Sequence, residues 1–169
     1  LKPYNRKIGP DPATLATALV GGILNNNSSG MCCGTAQNSY KTIRSIRVVL
    51  LDGSILDTSD QKSIDQFLKE KPQMVEDILQ LRKDILADEE LTHLIHHKYK
   101  IKNTTGYGLN SLVDFEDIID IINHLFIGSE GTLGLVSEIV YNTVEDVPYK
   151  GCGLMFFKTL NDACLSVVA

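Results

Sequence analysis

Several familiar signatures are missing from this chain of 169 residues, and each absence narrows the reading. No apolar run approaches the roughly 20 residues that span a bilayer as a helix. No leader opens the chain either; Leu1-Lys2-Pro3 reads like the middle of a longer polypeptide. The basic excess of a general nucleic-acid binder is absent, since the formal net charge is -5. Cys32, Cys33, Cys152 and Cys164 form neither a CxxC pair nor a zinc-ribbon spacing, so they are expected to be reduced thiols of a cytosolic protein. His93, His96 and His97 share one predicted helix but lack an interposed Glu or a distant third ligand. They read as surface or capping histidines, and no metal site is expected. There is no G-x-G-x-x-G between a strand and a helix and no G-x-x-x-x-G-K-[ST], so neither a Rossmann NAD site nor a P-loop is supported. Internal repeats and low-complexity segments are also absent.

What is present alternates irregularly between loop, strand and helix. Residues 1–42 are rich in Gly, Asn, Ser and Pro, with a short helix expected over Pro12 to Leu19. Ser45 to Leu50 is β-branched and apolar, Asp52-Gly53 is a strong turn signal, and Ser54 to Thr58 returns as the second strand of a hairpin. From Gln61 to Tyr99 the period becomes helical. Ile64, Phe67 and Leu68 mark one face and Val75, Ile78, Leu79, Ile85 and Leu86 another, with a break at Pro72. Asp88 is placed to cap a third helix carrying Leu91, Leu94 and Ile95. After the polar loop Asn103–Gly108, a helix is expected over Phe115 to Leu125, then a strand over Leu135 to Thr143. Beyond Pro148 a further strand, Gly153 to Phe157, precedes a helix from Leu160. The class is α+β, with a mixed or antiparallel sheet flanked by helices.

Chemistry centres on the glycines. Gly21, Gly22 and Gly30 cluster in one loop and Gly128, Gly131 and Gly134 in another. Glycine lets a ligand approach the main chain, and exposed N–H groups in such turns cradle phosphate oxygens. Tight turns alone remain the competing account. His124, ahead of an apolar segment, reads as structural. The run Lys98, Lys100, Lys102 and the Lys69-Glu70-Lys71 face read as solvated surface.

Three ordered motifs carry a resemblance over about four fifths of the chain. Pro10-Asp11-Pro12 with Gly21-Gly22-Ile23, Asn27-Ser28-Ser29-Gly30 and Gly34-Thr35 resembles the central stretch of the FAD-binding domain of the vanillyl-alcohol-oxidase superfamily. Thr105-Gly106-Tyr107 and the run Leu125 to Gly134 are similar to the D-2-hydroxyacid dehydrogenase branch, of the D-lactate or glycolate type. The resemblance implies FAD, bound without a covalent link, with Pro10, Gly21, Gly22, Asn27, Ser29, Gly30 and Gly34 in its site. Gly128, Glu130, Gly131, Gly134, Leu135 and Val136 would belong to the adenosine half. It implies that residues 1–149 are the later part of an FAD-binding domain and 150–169 the start of a substrate or cap domain. The implied reaction takes a D-2-hydroxy acid, of the D-lactate type, to its 2-oxo acid, with electrons passing on to a quinone or protein acceptor. The place would be the cytoplasm, with peripheral association at the inner face of the membrane.

Two departures stand out. The Arg-Gly-Gly-Gly-Thr-Ser type pyrophosphate loop is absent, and Ser111 to Asn123 lengthens the link between the later motifs. The longer link and the helical insert over 61–100 resemble the subgroup fused to an iron–sulfur domain, though no iron–sulfur ligands lie in these residues. The family's base and substrate-carboxylate group usually belong to the cap domain, so no catalytic base is assigned. The alternatives are another FAD oxidoreductase of the superfamily, such as an alditol oxidase or ether-lipid synthase relative, and a non-enzymatic α+β module.

Overall fold

A computed structural model describes residues 1–149 and 151–168, the last by its backbone alone. Its organising element is strand β2, Ile43–Leu50. β2 pairs antiparallel with β3, Ile55–Asp57, across the expected Asp52-Gly53 turn. The Asp52 carboxylate fixes that turn by accepting from the Ser54 N–H at 3.0 Å, and Gly53 takes φ +83. The Lys71 ammonium also pairs with Asp52. These contacts, led by Lys71, hold the Asp52 carboxyl below the usual carboxylate range. On its other side β2 pairs antiparallel with β4, Gly134–Tyr141, giving the order β3-β2-β4. Two register shifts interrupt that ladder, and at one of them the Ser137 hydroxyl donates to the Arg47 carbonyl at 3.1 Å. A second, two-residue pairing joins β1, Arg6–Lys7, to β5, Val144–Glu145.

One face of the three-stranded sheet is covered. Ile46, Val48 and Leu56 pack with Phe67 of α3 (Gln61–Glu70) and with Leu24, Ile122, Phe126 and Ile127. Helix α4 (Pro72–Ala87) follows directly, with Pro72 in its first turn where its missing N–H costs nothing. α5 (Glu89–Lys98) is capped by Asp88, which accepts from the Leu91 N–H at 2.9 Å. The three helices do not all lie on the sheet. Ile85 of α4 and Ile95 of α5 build a second cluster with Leu112 of α6 (Ser111–Asp114) and Ile121 of α7 (Ile118–Leu125). Of the expected helix faces, Leu79 and Leu86 remain 41% and 37% exposed, at the edge of the buried stripe.

Two expected elements are corrected. No helix forms over residues 12–19; turns occupy 13–17, and α1 is instead Val20–Asn25. Burial decides between them: Ala13 to Thr17 would bury nothing, whereas Ile23 and Leu24 are buried to 7% and 0% exposure. The second correction is at residues 153–157, which form no strand. A strand needs a ladder partner, and none is present among the described residues; Leu154 and Phe156 stay 81% and 87% exposed. α8 (Leu160–Val168) does form, with the Asp162 N–H donating to the Thr159 hydroxyl at 3.2 Å.

Candidate functional site

The two glycine clusters lie against each other, although Gly21 and Gly22 sit in α1 and not in the expected loop. The Glu130 N–H donates to the Asn25 carbonyl at 3.0 Å and the Gly128 N–H to the Leu24 carbonyl at 3.3 Å. The Asn26 side-chain amide donates to the Glu130 carboxylate at 2.6 Å. The polar loop at 103–108 closes a third side. There the Asn27 amide donates to the Asn103 carbonyl at 3.0 Å, and the Tyr107 and Thr132 hydroxyls meet at 2.8 Å. The Lys102 ammonium donates to the Ser29 carbonyl at 3.4 Å. Asn27 and Glu130 take left-handed backbone, φ 48 and 52, which Asn tolerates better than Glu. Glu130 is thus held in a costly conformation where the loops join.

Four buried side-chain atoms at this junction have no partner: Asn25 Oδ1, Asn27 Oδ1, Ser29 Oγ and Ser129 Oγ. Each such atom costs about 1–3 kcal/mol when left unpaired. Their concentration where three loops meet is what a polar ligand would relieve.

The expected glycines divide by what stands next to them. A Cβ on Gly30 would lie 1.9 Å from the Asp11 carbonyl, and one on Gly134 2.6 Å from the Val49 carbonyl. Those two are required by the chain's own packing. The same holds at Gly128, where a Cβ would meet the Gly106 carbonyl at 2.6 Å. Gly22 is different: it is exposed in α1 and a Cβ there meets nothing within 4 Å. Gly131 is nearly as open, 4.0 Å from the Asn25 amide, and Gly21 makes only ordinary contact with the Val136 carbonyl at 3.8 Å. Pro10 is buried beside Asp11, whose carboxylate accepts from the Cys33 N–H at 3.1 Å. Gly34 stands apart in a turn with φ +50 and no near neighbour. Leu135 and Val136 lie on β4 beside this junction, paired with Val49 and Val48.

Behind Asn27 opens a cavity of about 450 Å³. Tyr40, on α2 (Ser39–Thr42), lines it and donates to the Asp114 carboxylate at 2.8 Å, which also accepts from Asn110 at 3.3 Å. Burial, then this hydrogen bond, pushes the Tyr40 hydroxyl far above the usual tyrosine range. His124 sits edge-on to Tyr40 with centroids 4.7 Å apart and stacks on Phe115 at 4.0 Å. Its Nδ1 lies 2.6 Å from the Asp120 carbonyl, and burial pushes its pKa down. These are the features of a structural histidine. Sequence reasoning singled out neither Asn25 and Ser129 nor the Tyr40–Asp114 pair. Asn and Ser are common in loops, and nothing local tells a buried, unpartnered one from a solvated one.

Residues 1–59 match the family model described as an FAD binding domain. The chain is 26% identical over 154 residues to a D-2-hydroxyglutarate dehydrogenase of Haemophilus influenzae, covering 89% of this chain and 15% of the relative. It is 29% identical over 141 residues to the enzyme of that name from Pantoea ananatis, covering 82% and 14%. Over residues 1–59 the chain is thus similar to FAD binding domains, and over most of its length to these two dehydrogenases. The match over residues 1–59 indicates FAD as the cofactor. No solved structure matches the chain. The chain spans about 15% of the length of the Haemophilus relative it matches.

The arrangement fits that cofactor. FAD is long and charged at its middle, so it needs close backbone approach and scattered polar partners from separate loops. The open Gly22 and Gly131 and the unpartnered atoms of Asn25, Asn27, Ser29 and Ser129 supply both. All four cysteines are free, Cys33 buried and the others exposed. Among the described residues no helix is long and apolar enough to cross a membrane.

Proposed function

We propose that the protein carrying these residues is an FAD-dependent dehydrogenase that oxidises a D-2-hydroxy acid to the 2-oxo acid, with residues 1–149 serving as part of its cofactor domain. The observation that carries this reading is the junction of the three loops, where four buried side-chain atoms lack a partner and Gly22 and Gly131 leave open space. The Gly21–Gly30 segment takes the flavin and pyrophosphate end, with Asn27 and Ser29 as hydrogen-bond partners and Pro10 and Gly34 as further cofactor contacts. The Gly128–Gly134 turn, with Glu130, Leu135 and Val136, takes the adenosine half. When bound, FAD supplies the hydride acceptor; these residues hold and orient it and exclude water. The relatives' names make D-2-hydroxyglutarate the first acid to test, ahead of D-lactate. Residues 150–169 would open the substrate domain; a quinone or protein acceptor, an iron–sulfur partner domain and a cytoplasmic place at the membrane's inner face complete the proposal.

The test is direct. The whole protein, purified, should be yellow, release its flavin on denaturation, and lose its visible absorbance when mixed without oxygen with D-2-hydroxyglutarate or D-lactate. A colourless protein with normal circular dichroism would refute the cofactor assignment. A yellow one left unbleached by a panel of D-2-hydroxy acids would refute the activity.

A further inference from the structure

The loop at 103–108 touches both glycine clusters, yet it holds none of the unpartnered buried side-chain atoms. Its polar groups run instead in a line from helix to turn. Tyr99, the C-cap of α5, packs its ring against the second hydrophobic cluster. Its hydroxyl donates to the Tyr107 carbonyl at 2.7 Å and accepts from the Leu109 N–H at 3.1 Å. The Tyr107 hydroxyl in turn meets that of Thr132 at 2.8 Å. Thr132 gives its single hydroxyl proton to the Ser129 carbonyl at 2.6 Å, so Tyr107 is the donor to Thr132. A hydrogen-bonded chain thus leads from α5 through the loop to the turn at 128–134.

That turn needs holding. It carries Gly128 at φ 86, Glu130 at φ 52 and Gly131 at φ 79. Left-handed backbone at a residue such as Glu130 persists only where the surroundings fix it. On the α1 side the Gly128 and Glu130 N–H groups are bonded to the Leu24 and Asn25 carbonyls. Tyr107 ties the far end through Thr132. Between these two anchors lies Ser129, whose Oγ is one of the unpartnered atoms of the junction.

We propose that Tyr99 and Tyr107 are positioning residues for the cofactor, whose hydrogen-bonded chain through Thr132 holds the turn at 128–134 in the shape that receives FAD. This inference rests on the cofactor reading above and adds to it a strap anchored on α5. Neither tyrosine is offered as a contact of the flavin. Without the strap the turn has other shapes open to it, and binding must then also order it. The apparent affinity falls with the fraction of molecules already in the receptive shape. Tyr107 is 44% exposed, so its hydroxyl exchanges with water at little cost to folding.

The experiment uses the whole protein, stripped of flavin and titrated with FAD while flavin fluorescence is followed. Tyr107→Phe, Tyr99→Phe and Thr132→Val should each raise the Kd for FAD roughly two- to tenfold, the loss expected for one hydrogen bond. Thr132→Ser keeps the hydroxyl and should bind FAD as wild type does. Because the hydroxyls act in series, Tyr107→Phe/Thr132→Val should bind no more weakly than the worse single variant, whereas independent effects would multiply. Thermal melts of stripped Tyr107→Phe should stay close to wild type. An unchanged Kd in Tyr107→Phe and Thr132→Val would overturn the strap, and so would effects that multiply in the double variant. Thr132→Ser as weak as Thr132→Val would overturn it too, because the hydroxyl would then be irrelevant. An unchanged Kd in Tyr99→Phe would overturn the anchor on α5, and a stripped Tyr107→Phe melting far below wild type would make that hydroxyl a general folding contact and overturn its positioning role. A wild type that is colourless as purified and takes up no FAD would overturn the cofactor reading, and this inference with it.

Discussion

Gly22 gives the sharpest test of the cofactor site, because the fold and the ligand make opposite demands there. It is the third residue of α1, its helical backbone accepts any residue, and a Cβ would meet no protein atom within 4 Å. For the protein alone, Gly22→Ala is therefore favourable. Alanine gains about 0.5–1 kcal/mol over glycine in a helix, mainly by restricting the unfolded chain. If FAD lies against this turn, the same methyl group enters the space of its closest approach. Overpacking of one methyl costs about 1–3 kcal/mol, which is roughly 5- to 150-fold in affinity.

The variant should accordingly unfold at a slightly higher temperature than wild type once both are stripped of flavin, yet retain less flavin on purification. Gly22→Val should exaggerate the second effect. The measurements are the flavin-to-protein ratio, an FAD titration of the stripped proteins, and thermal melts followed by circular dichroism. Equal FAD affinity in wild type, Gly22→Ala and Gly22→Val would show that Gly22 is an ordinary helix residue and that the assigned approach is wrong. Gly131→Val makes a poorer probe, because Gly131 sits at φ +79 and any side chain there strains the fold directly.

Other sites should respond differently. Gly30→Ala drives a Cβ to 1.9 Å from the Asp11 carbonyl, so chemical denaturation should show a loss of several kcal/mol whether or not flavin is present. Ser129→Ala removes a buried hydroxyl without a partner; the stripped protein should be unchanged or up to about 1 kcal/mol more stable, with weaker FAD binding by titration. Tyr40→Phe deletes the hydrogen bond to Asp114 and should cost about 1.5–3 kcal/mol in urea melts. His124 carries a pH signature. Burial lowers its folded pKa below the unfolded value near 6.5, so its share of stability is complete above that value and is lost as pH falls through it toward the folded pKa. Melts of wild type and His124→Phe between about pH 8 and pH 5 should therefore converge in slope only at the upper end.

Local signals were the legible ones. Asp52-Gly53 between two β-branched runs fixes the β2–β3 hairpin without reference to anything distant. The cap at Asp88 marks α5 for the same reason, whereas the cap at Asp117, which starts α7 three residues after the expected Phe115, was not read. Non-local pairings were not legible: β1 and β5 are two residues each, meet across most of the chain, and carry no periodicity. The helix expected over 12–19 failed because propensity cannot see which turn reaches the core, and Ile23 and Leu24 do. The strand expected over 153–157 has the right composition and no ladder to join. At the site, the glycine clusters could be picked out, but only coordinates separate Gly30, filled by Asp11, from Gly22, filled by nothing.

That separation bears on how such a site persists. A chain selected for stability alone would place alanine at position 22 and give Asn25, Asn27, Ser29 and Ser129 partners. Each departure costs about a kcal/mol or more against a total of only 5–15 for an ordinary domain. Here the departures are not scattered. They sit where Asn26 reaches Glu130 and Asn27 reaches Asn103, contacts that tie the three loops into one wall. The wall itself is well made, with Gly30 and Gly134 pressed against carbonyls. Four of its buried side-chain atoms are left unpaired. A ligand that satisfies those atoms adds RT ln(1 + [L]/Kd) to stability, about 2.7 kcal/mol at a hundredfold excess over Kd. Binding therefore offsets a large part of what the empty junction costs, and the strained Glu130 is held in place by the same contacts that define the site.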